Sequence, residues 1–390
     1  MVETKKYGWG VKAAVLSVAI LMYTTSMSTP ALGEIQKAFP DVSAVTIQQI
    51  SSIPSLMLVL FSFIAGQLAR VISSKKILYI AMIFLIIGGI APAIGGGITA
   101  ILFSRYIFGA GYGLVFPMSS AVVQEFFSGL ERDSLMGYKS AVGALSGVFF
   151  QMFGGFVAVM NWRWSFLGIL VVIPIFILIL LKLPNSEIKK ADKDASKGKL
   201  TPTTYGICIF NVFFNILQFS FMINIAMVLT NSGGNAGQAG TILTTFTVAA
   251  TIAGLLYGRV IKILRRYTLS LAIGLLSIAF FVLINAVSFT TFIVGGFIFG
   301  LGFGFYNPTM TINVMNSAPG ASTLAVSTYV SVQGIGQYFS PMILAAITGA
   351  LGLTLGVGAW TIAAWVFSVI CIGSVVFFTL YKSKNSSESA

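Results

Sequence analysis

Arg105-Tyr-Ile-Phe-Gly-Ala-Gly-Tyr-Gly-Leu-Val-Phe-Pro117 aligns without a gap on Gly296-Phe-Ile-Phe-Gly-Leu-Gly-Phe-Gly-Phe-Tyr-Asn-Pro308. Ile, Phe, three alternating glycines and the proline recur at an offset of 191, six identities in thirteen positions. Glycine in an apolar helix often reports only close packing, but six identities in register ask for a repeat. Further out, Gly66 and Gly258 each open a basic turn at an offset of 192. Gln151 and Gln337 are 186 apart, which needs only a small difference in loop length. The chain is therefore two copies of one unit, running in the same direction.

Composition says what the unit is made of. Of 390 residues, 57% are hydrophobic and only 8% charged. Soluble proteins carry about 25% charged residues, so this chain cannot coat a water-facing surface. Apolar runs of about 20 residues recur along its whole length, which is the length a bilayer demands of a helix. We place twelve spans, at 10–31, 46–69, 76–96, 98–124, 135–159, 164–183, 204–230, 238–263, 268–288, 290–314, 322–348 and 355–381. The fold class is thus an all-α membrane protein of twelve transmembrane helices in two pseudo-symmetric six-helix bundles. The bundles are expected over 1–183 and 204–390, joined by a cytoplasmic charged linker over 184–203.

Assigning the loops alternately to two sides places 20 of the 23 Lys and Arg on one side, against Lys37 and Arg163 on the other. Arg105 falls inside a span. By the positive-inside rule both termini are cytoplasmic. The excess of +13 then reports topology rather than a nucleic-acid partner. The expected location is the plasma membrane, multi-pass, as a monomer whose partners are the lipid bilayer and a small-molecule substrate.

Several chemistries lack their residues. There is no His, and Cys208 and Cys371 lie singly in apolar segments, so no metal site or cofactor is expected. No Gly-rich run leads into Lys-Ser or Lys-Thr, so no P-loop is present. An integral enzyme or a non-transporting sensor is disfavoured by the same absences.

The loop Gly66-Gln-Leu-Ala-Arg-Val-Ile-Ser-Ser-Lys-Lys76, the span-4 set Arg105, Gly109, Gly111 and Gly113, the entry Glu131-Arg132 with Gly137, and the exit Asn161-Trp-Arg-Trp-Ser-Phe166 occur in a telling order. In this order and at these intervals the chain resembles the major facilitator superfamily over essentially its full length, nearest in pattern to bacterial drug-antiporter-like members. The resemblance implies alternating access, with spans 1, 4, 7 and 10 lining a central cavity. Two departures stand out. Arg70 stands where the loop signature has Asp, and Ser73 where it has Gly, so the acidic side of a cytoplasmic lock between bundles would fall to Glu125, Glu131 or Asp133. The fifth-span signature of antiporters keeps only Gly154-Gly155 of its closing residues.

Polar groups within spans mark the candidate pathway, because bilayer burial is costly unless a partner or wet cavity is at hand. Arg105 lies about 10 Å into span 4 at the usual helical rise. It is either held structurally by backbone carbonyls and hydroxyls, or faces a substrate carboxylate or phosphate. Tyr112 follows on the same face. Span 7 carries Asn211, Asn215 and Gln218 at i, i+4, i+7, suited to interhelical bonding or to cavity lining. Tyr306, Asn307 and Asn313 in span 10, Thr24 and Ser28 in span 1, and Gln151 and Gln337 complete the expected substrate-binding set. Gating is expected at Gly66, Arg70, Gly113, Pro117, Gly304, Pro308, Glu125 and Arg132, since proline after alternating glycine weakens a helix.

No span interior holds Asp, Glu or His. A proton-coupled or cation-binding pathway usually needs one. The expected function is a secondary transporter of a small organic solute, anionic on the strength of Arg105, by alternating access of the two bundles. The alternative is a multidrug efflux antiporter, to which 33 Phe and 14 Met could lend an adaptable cavity.

Overall fold

The computed structural model describes residues 7–185 and 199–387. Lys5, Lys6 and most of the expected linker lie outside the described residues. Among the described residues there is no strand. The helices are Ala44–Leu68 (span 2), Ser74–Ile94 (span 3), Ile98–Phe126 (span 4), Gly129–Met160 (span 5), Pro202–Asn231 (span 7), Ala236–Leu264 (span 8), Thr268–Ile284 (span 9), Phe289–Ser317 (span 10), Ser322–Ala350 (span 11) and Val357–Ser387 (span 12). Span 6 begins as 3-10 turns over Trp162–Val171 and continues as a helix over Val172–Lys182.

Among the described residues ten segments are long and apolar enough to cross a membrane, and eleven when a bent pair at the start counts as one. The twelfth comes from the 49-residue stretch Ala236–Ile284, which is two helices. Arg265, at φ 47°, turns the chain there. Span 8 runs parallel to span 10, whereas span 9 runs against it, so the chain has reversed direction. Large apolar side chains such as Phe63, Leu181 and Leu255 stand 70% exposed or more, as lipid-facing residues do.

Span 1 departs from expectation. It is not one helix over 10–31 but a helix over Trp9–Leu21, two 3-10 turns over Thr24–Met27 and Thr29–Ala31, and a short helix over Leu32–Ala38, bent by 44°. The cause is local. Tyr23-Thr-Thr-Ser-Met-Ser-Thr29 offers hydroxyls that bond to their own backbone, as Thr24 Oγ1 does to the Leu21 carbonyl at 2.8 Å, and Pro30 has no N–H to give.

The alternating glycines acquire a mechanical meaning. In span 4, Gly109 and Gly113 face span 2, and Gly111 faces span 3. A methyl group on Gly109 would lie 2.6 Å from Met57 Cβ, and one on Gly111 would lie 2.5 Å from the Ala81 carbonyl oxygen. In span 10, Gly300 and Gly304 face Phe246, Ala250 and Ala253 of span 8, and Gly302 faces Ala272 and Leu276 of span 9. Ala81 and Ala272 are 191 apart, and Phe61 and Ala253 are 192 apart. The repeat read in one span thus extends to the neighbours that span touches. Glycines at i and i+4 clear one side of the helix and the glycine between them clears the other, so each central span wedges between two partners at backbone contact.

Candidate functional site: a cavity between the two bundles

The bundles touch on one side and part on the other. On the side away from the basic loops, span 5 crosses span 8 with almost no side chain between them. A methyl group on Gly240 would lie 2.6 Å from the Gln151 carbonyl oxygen, and one on Gly155 would lie 2.7 Å from that of Ala236. Gly33 packs in the same way on Ala226 and Thr230 of span 7. A fully buried amide bridge, Gln48 Nε2 to Asn224 Oδ1 at 2.7 Å, ties span 2 to span 7. Toward the basic loops, Gly66, Gly137, Gly254 and Gly258 meet nothing within 4 Å. Between the separated ends lies a vestibule of about 850 Å³ walled by spans 2, 4, 10 and 11, with Gly66, Arg70, Phe116 and Pro117 among its lining.

Below the vestibule is a smaller cavity of about 320 Å³. It is lined by Met22, Tyr23, Thr25, Ser26 and Thr29 from the break in span 1, and by Ser51 and Ser55 of span 2. Tyr112 and Phe116 of span 4, Phe219 and Met222 of span 7, and Gln337 of span 11 complete it. Phe116 lines both spaces and stands edge-on to Tyr112 at 6.2 Å. Among the described residues no charged side chain lines the cavity.

Of the expected substrate residues, the structure brings Tyr112 and Gln337 to this cavity. Gln151 is committed elsewhere, its Oε1 accepting from Thr247 Oγ1 at 2.9 Å across the bundle interface. The two glutamines are related by the repeat: Gln151 meets Thr247, Gln337 shares the cavity with Ser55, and Ser55 and Thr247 are 192 apart.

The others lie elsewhere, each for a physical reason. Thr24 is spent on the Leu21 carbonyl, and Ser28 is buried beside Thr25. The span-7 amides form a seam with span 11: Asn211 Nδ2 donates to the Tyr329 carbonyl at 3.0 Å, and Asn215 Nδ2 to Asn211 at 2.9 Å. Gln218 is buried in the same helix, and the side-chain oxygens of Asn215 and Gln218 are buried without partners. Tyr306 is buried in a stack on Phe214 with ring centroids 3.5 Å apart, and Asn307 donates to the Phe303 carbonyl at 3.3 Å. Asn313 lines a separate pocket at the basic end of spans 8 to 10.

Arg105 is the main correction. It is 1% exposed, lines none of these spaces, and lies between the rings of Phe108 and Phe166 at 4.7 and 5.0 Å. Its Nη2 donates to the Gly88 carbonyl of span 3. That carbonyl needs a donor because its helical partner, four residues on, is Pro92. Arg163 caps the end of the same helix, donating to the carbonyls of Pro92 at 2.9 Å and Gly96 at 3.0 Å. The second bundle supports this account. At the offset of 191, Pro92 corresponds to Leu283 and Arg105 to Gly296. With no proline there is no orphaned carbonyl, and no arginine to serve it.

The expected gating residues divide in the same manner. Gly66, Arg70 and Pro117 line the vestibule. The Gly113 carbonyl, deprived of its helical donor by Pro117, accepts from Ser62 Oγ at 3.2 Å. Gly304 and Pro308 belong to the packing of span 10, and Gly113 to that of span 4. Glu125 lines a small recess with Ala69 and Ser74 of its own bundle. Glu131 pairs with Lys12 at 2.6 Å and Arg132 with Asp133 at 2.9 Å, both within one bundle. Among the described residues no ion pair joins the bundles on the parted side.

Sequence reasoning missed Tyr23, Ser26, Thr29, Ser51 and Ser55. The available signal was hydroxyl clusters beside Pro30 and Pro54, where helix geometry fails and polar atoms are released.

A membrane-spanning fold of two repeated six-helix bundles around a midplane cavity is the architecture of a transporter. The profile of the Major Facilitator Superfamily matches residues 14–214 and 207–390. The chain belongs to the Major Facilitator Superfamily, a family of membrane transporters rather than enzymes. It is 24% identical over 233 residues to a hexuronate transporter of Bacillus subtilis, covering 56% of this chain and 55% of that protein. It is 26% identical over 229 residues to the multidrug efflux pump SdrM of Staphylococcus aureus, covering 56% of this chain and 49% of the pump. The chain thus spans about half the length of these relatives. Its fold matches the crystal structure of a D-xylose–proton symporter with a TM-score of 0.70 at 15% identity, over 94% of this chain and 97% of the symporter.

Proposed function

We propose that this protein is a secondary transporter that carries a small, polar, uncharged organic solute through a bacterial-type plasma membrane by alternating access. The observation that carries the reading is the cavity itself: hydroxyls of Tyr23, Thr25, Ser26, Thr29, Ser51, Ser55 and Tyr112 and the amide of Gln337, with no charge among them. A charged solute entering such a space would leave water without gaining a counter-ion, which costs several kcal/mol. Its volume of about 320 Å³ lies at the small end of ligand sites, which run roughly 300–1,000 Å³. The bundles are taken as 1–183 and 204–390. With the basic loops in the cytoplasm, the state described here is open inward, sealed outward by Gly33, Gly155, Gly240 and the Gln48–Asn224 bridge, and gated inside by Phe116.

Arg105 no longer argues for an anionic solute, since it serves Gly88. The relative named for hexuronate keeps an anion as the second reading, and the apolar Met22, Phe116, Phe219 and Met222, with SdrM, keep the efflux of drugs as an outcome of the test.

The test is a thermal-shift screen of detergent-purified protein against uncharged sugars and nucleosides, sugar acids, phosphates and lipophilic cations. A ligand at a hundredfold over its Kd stabilises by about 2.7 kcal/mol in the ideal case. The reading expects selective shifts from uncharged polar solutes, lost in Gln337→Leu. Shifts from sugar acids alone would replace it with the anion transporter, and shifts from unrelated lipophilic compounds with the drug pump.

A further inference from the structure

Away from the bundle interface, a pocket of about 440 Å³ opens at the basic end of the second bundle, among spans 8, 9, 10 and 12. Its polar lining is Arg265, Arg266, Tyr257, Thr309 and Asn313, and its apolar wall is Ile261, Leu269, Ile312 and Phe378. The transport cycle as described uses none of these groups.

Three observations point to an anion. Neither arginine has a carboxylate partner among the described residues, and between residues 199 and 387 the chain has no Asp or Glu at all. The basic loops of the first bundle, by contrast, have Glu131 and Asp133 to pair with. Next, Tyr257 lines the pocket and its hydroxyl is buried with no hydrogen-bond partner, so a donor beside the pocket lacks an acceptor. Finally, Arg265 is the one described residue other than glycine with φ in the left-handed region, at 47°, a conformation that costs free energy wherever Arg rather than Gly occupies it.

We propose that this pocket binds the phosphate headgroup of an anionic phospholipid. A phosphate diester accepts charge-assisted bonds from both guanidinium groups and a hydrogen bond from the Tyr257 hydroxyl. The same ligand chemistry could arrive as a free phosphate ester, but the surroundings favour a lipid. Half the pocket wall is apolar, and the flanking Leu255, Ile263 and Leu380 are 81%, 80% and 65% exposed, as residues against acyl chains are. Basic pockets between spans on the side rich in Lys and Arg suit anionic headgroups. Asn313, solvent-accessible in this pocket, finds a polar role here that it lacks in the central cavity.

The experiment is native mass spectrometry of the full chain in neutral detergent, titrated with dioleoyl phosphatidylglycerol, dioleoyl phosphatidylcholine and glycerol phosphate. Wild-type protein is expected to retain phosphatidylglycerol over phosphatidylcholine. Arg265→Gly with Arg266→Gln, where glycine suits the backbone at 265, is expected to weaken that binding about twentyfold, at roughly fivefold for each cation near a membrane anion. Tyr257→Phe, which removes a single oxygen and keeps the ring, is expected to weaken it about threefold. Arg259→Gln, which removes one charge outside the pocket, is expected to leave binding unchanged. The proposal is overturned if phosphatidylcholine binds equally well, or if Arg259→Gln costs as much as the pocket variants. It is also overturned if glycerol phosphate displaces phosphatidylglycerol mole for mole, which would assign the pocket to a soluble ester.

Discussion

Replacing Arg105 with Met is expected to destabilise the protein by about 2–3 kcal/mol, the range for removing a charged donor from a buried acceptor, while leaving the apparent affinity for solute unchanged in the folded fraction. The loss has one address: the Gly88 carbonyl, which has no helical donor because Pro92 stands four residues beyond it. Pro92 and Arg105 should therefore be energetically coupled. Pro92→Ala supplies a new N–H to Gly88, so in the Arg105→Met background it should recover about 1 kcal/mol or more. Thermal or chemical unfolding of the four proteins of this double-mutant cycle measures the coupling. Additive effects, or an Arg105→Met protein of full stability with weakened solute binding, would return Arg105 to the transport pathway.

Gly240→Leu is expected to abolish transport, by at least about a hundredfold, in a protein that still folds. The side chain would be directed at the Gln151 backbone, 2.6 Å from where its Cβ must sit, and a backbone carbonyl cannot turn aside as a side chain can. An overpacking cost of about 3 kcal/mol on one state shifts the balance between open and closed by a factor of about 100. The contact joins two bundles, so the penalty falls on the conformation sealed on this side and not on the bundles themselves. Gly154→Leu supplies the contrast. Gly154 packs on the Met27 carbonyl inside its own bundle, so a side chain there should unfold the protein instead. Labelling of Ala226→Cys, at a buried position beside Gly33 on the sealed side, by a membrane-impermeant thiol reagent, with Cys208 and Cys371 replaced by Ala, reports the state. The cysteine should be protected when Gly240 is intact and labelled in Gly240→Leu.

The adjacent glycines 154 and 155 show how much could be read in advance, and how much could not. That small residues at these places meant close approach was legible. That Gly154 meets span 1 and Gly155 meets span 8, so that one guards a bundle and the other an interface, required the packing. The repeat was legible to the residue because backbone contact tolerates only glycine, and the contacts recur with it. Arg105 was legible as an anomaly and misleading as a function. The residue that explains it, Pro92, lies in another span, and only the antiparallel packing of spans 3 and 4 brings Gly88 under the guanidinium. The i, i+4, i+7 amides of span 7 do share a face, but periodicity cannot say whether that face meets a cavity or the carbonyls of span 11. The break in span 1 went the other way. Its helical hydropathy concealed a run of hydroxyls before Pro30 that opens the chain toward the cavity.

The central claim is that an uncharged polar solute crosses through the cavity around Tyr112 and Gln337. The most direct measurement is counterflow in proteoliposomes with a radiolabelled uncharged solute identified by thermal shift, comparing wild type, Gln337→Leu and Arg105→Lys. The account predicts exchange by wild type, a rise in KM of about tenfold in Gln337→Leu, as for one lost hydrogen bond to a buried ligand, and an unchanged KM in whatever fraction of Arg105→Lys folds. Exchange confined to anionic solutes, with KM raised by Arg105→Lys and indifferent to Gln337→Leu, would contradict it.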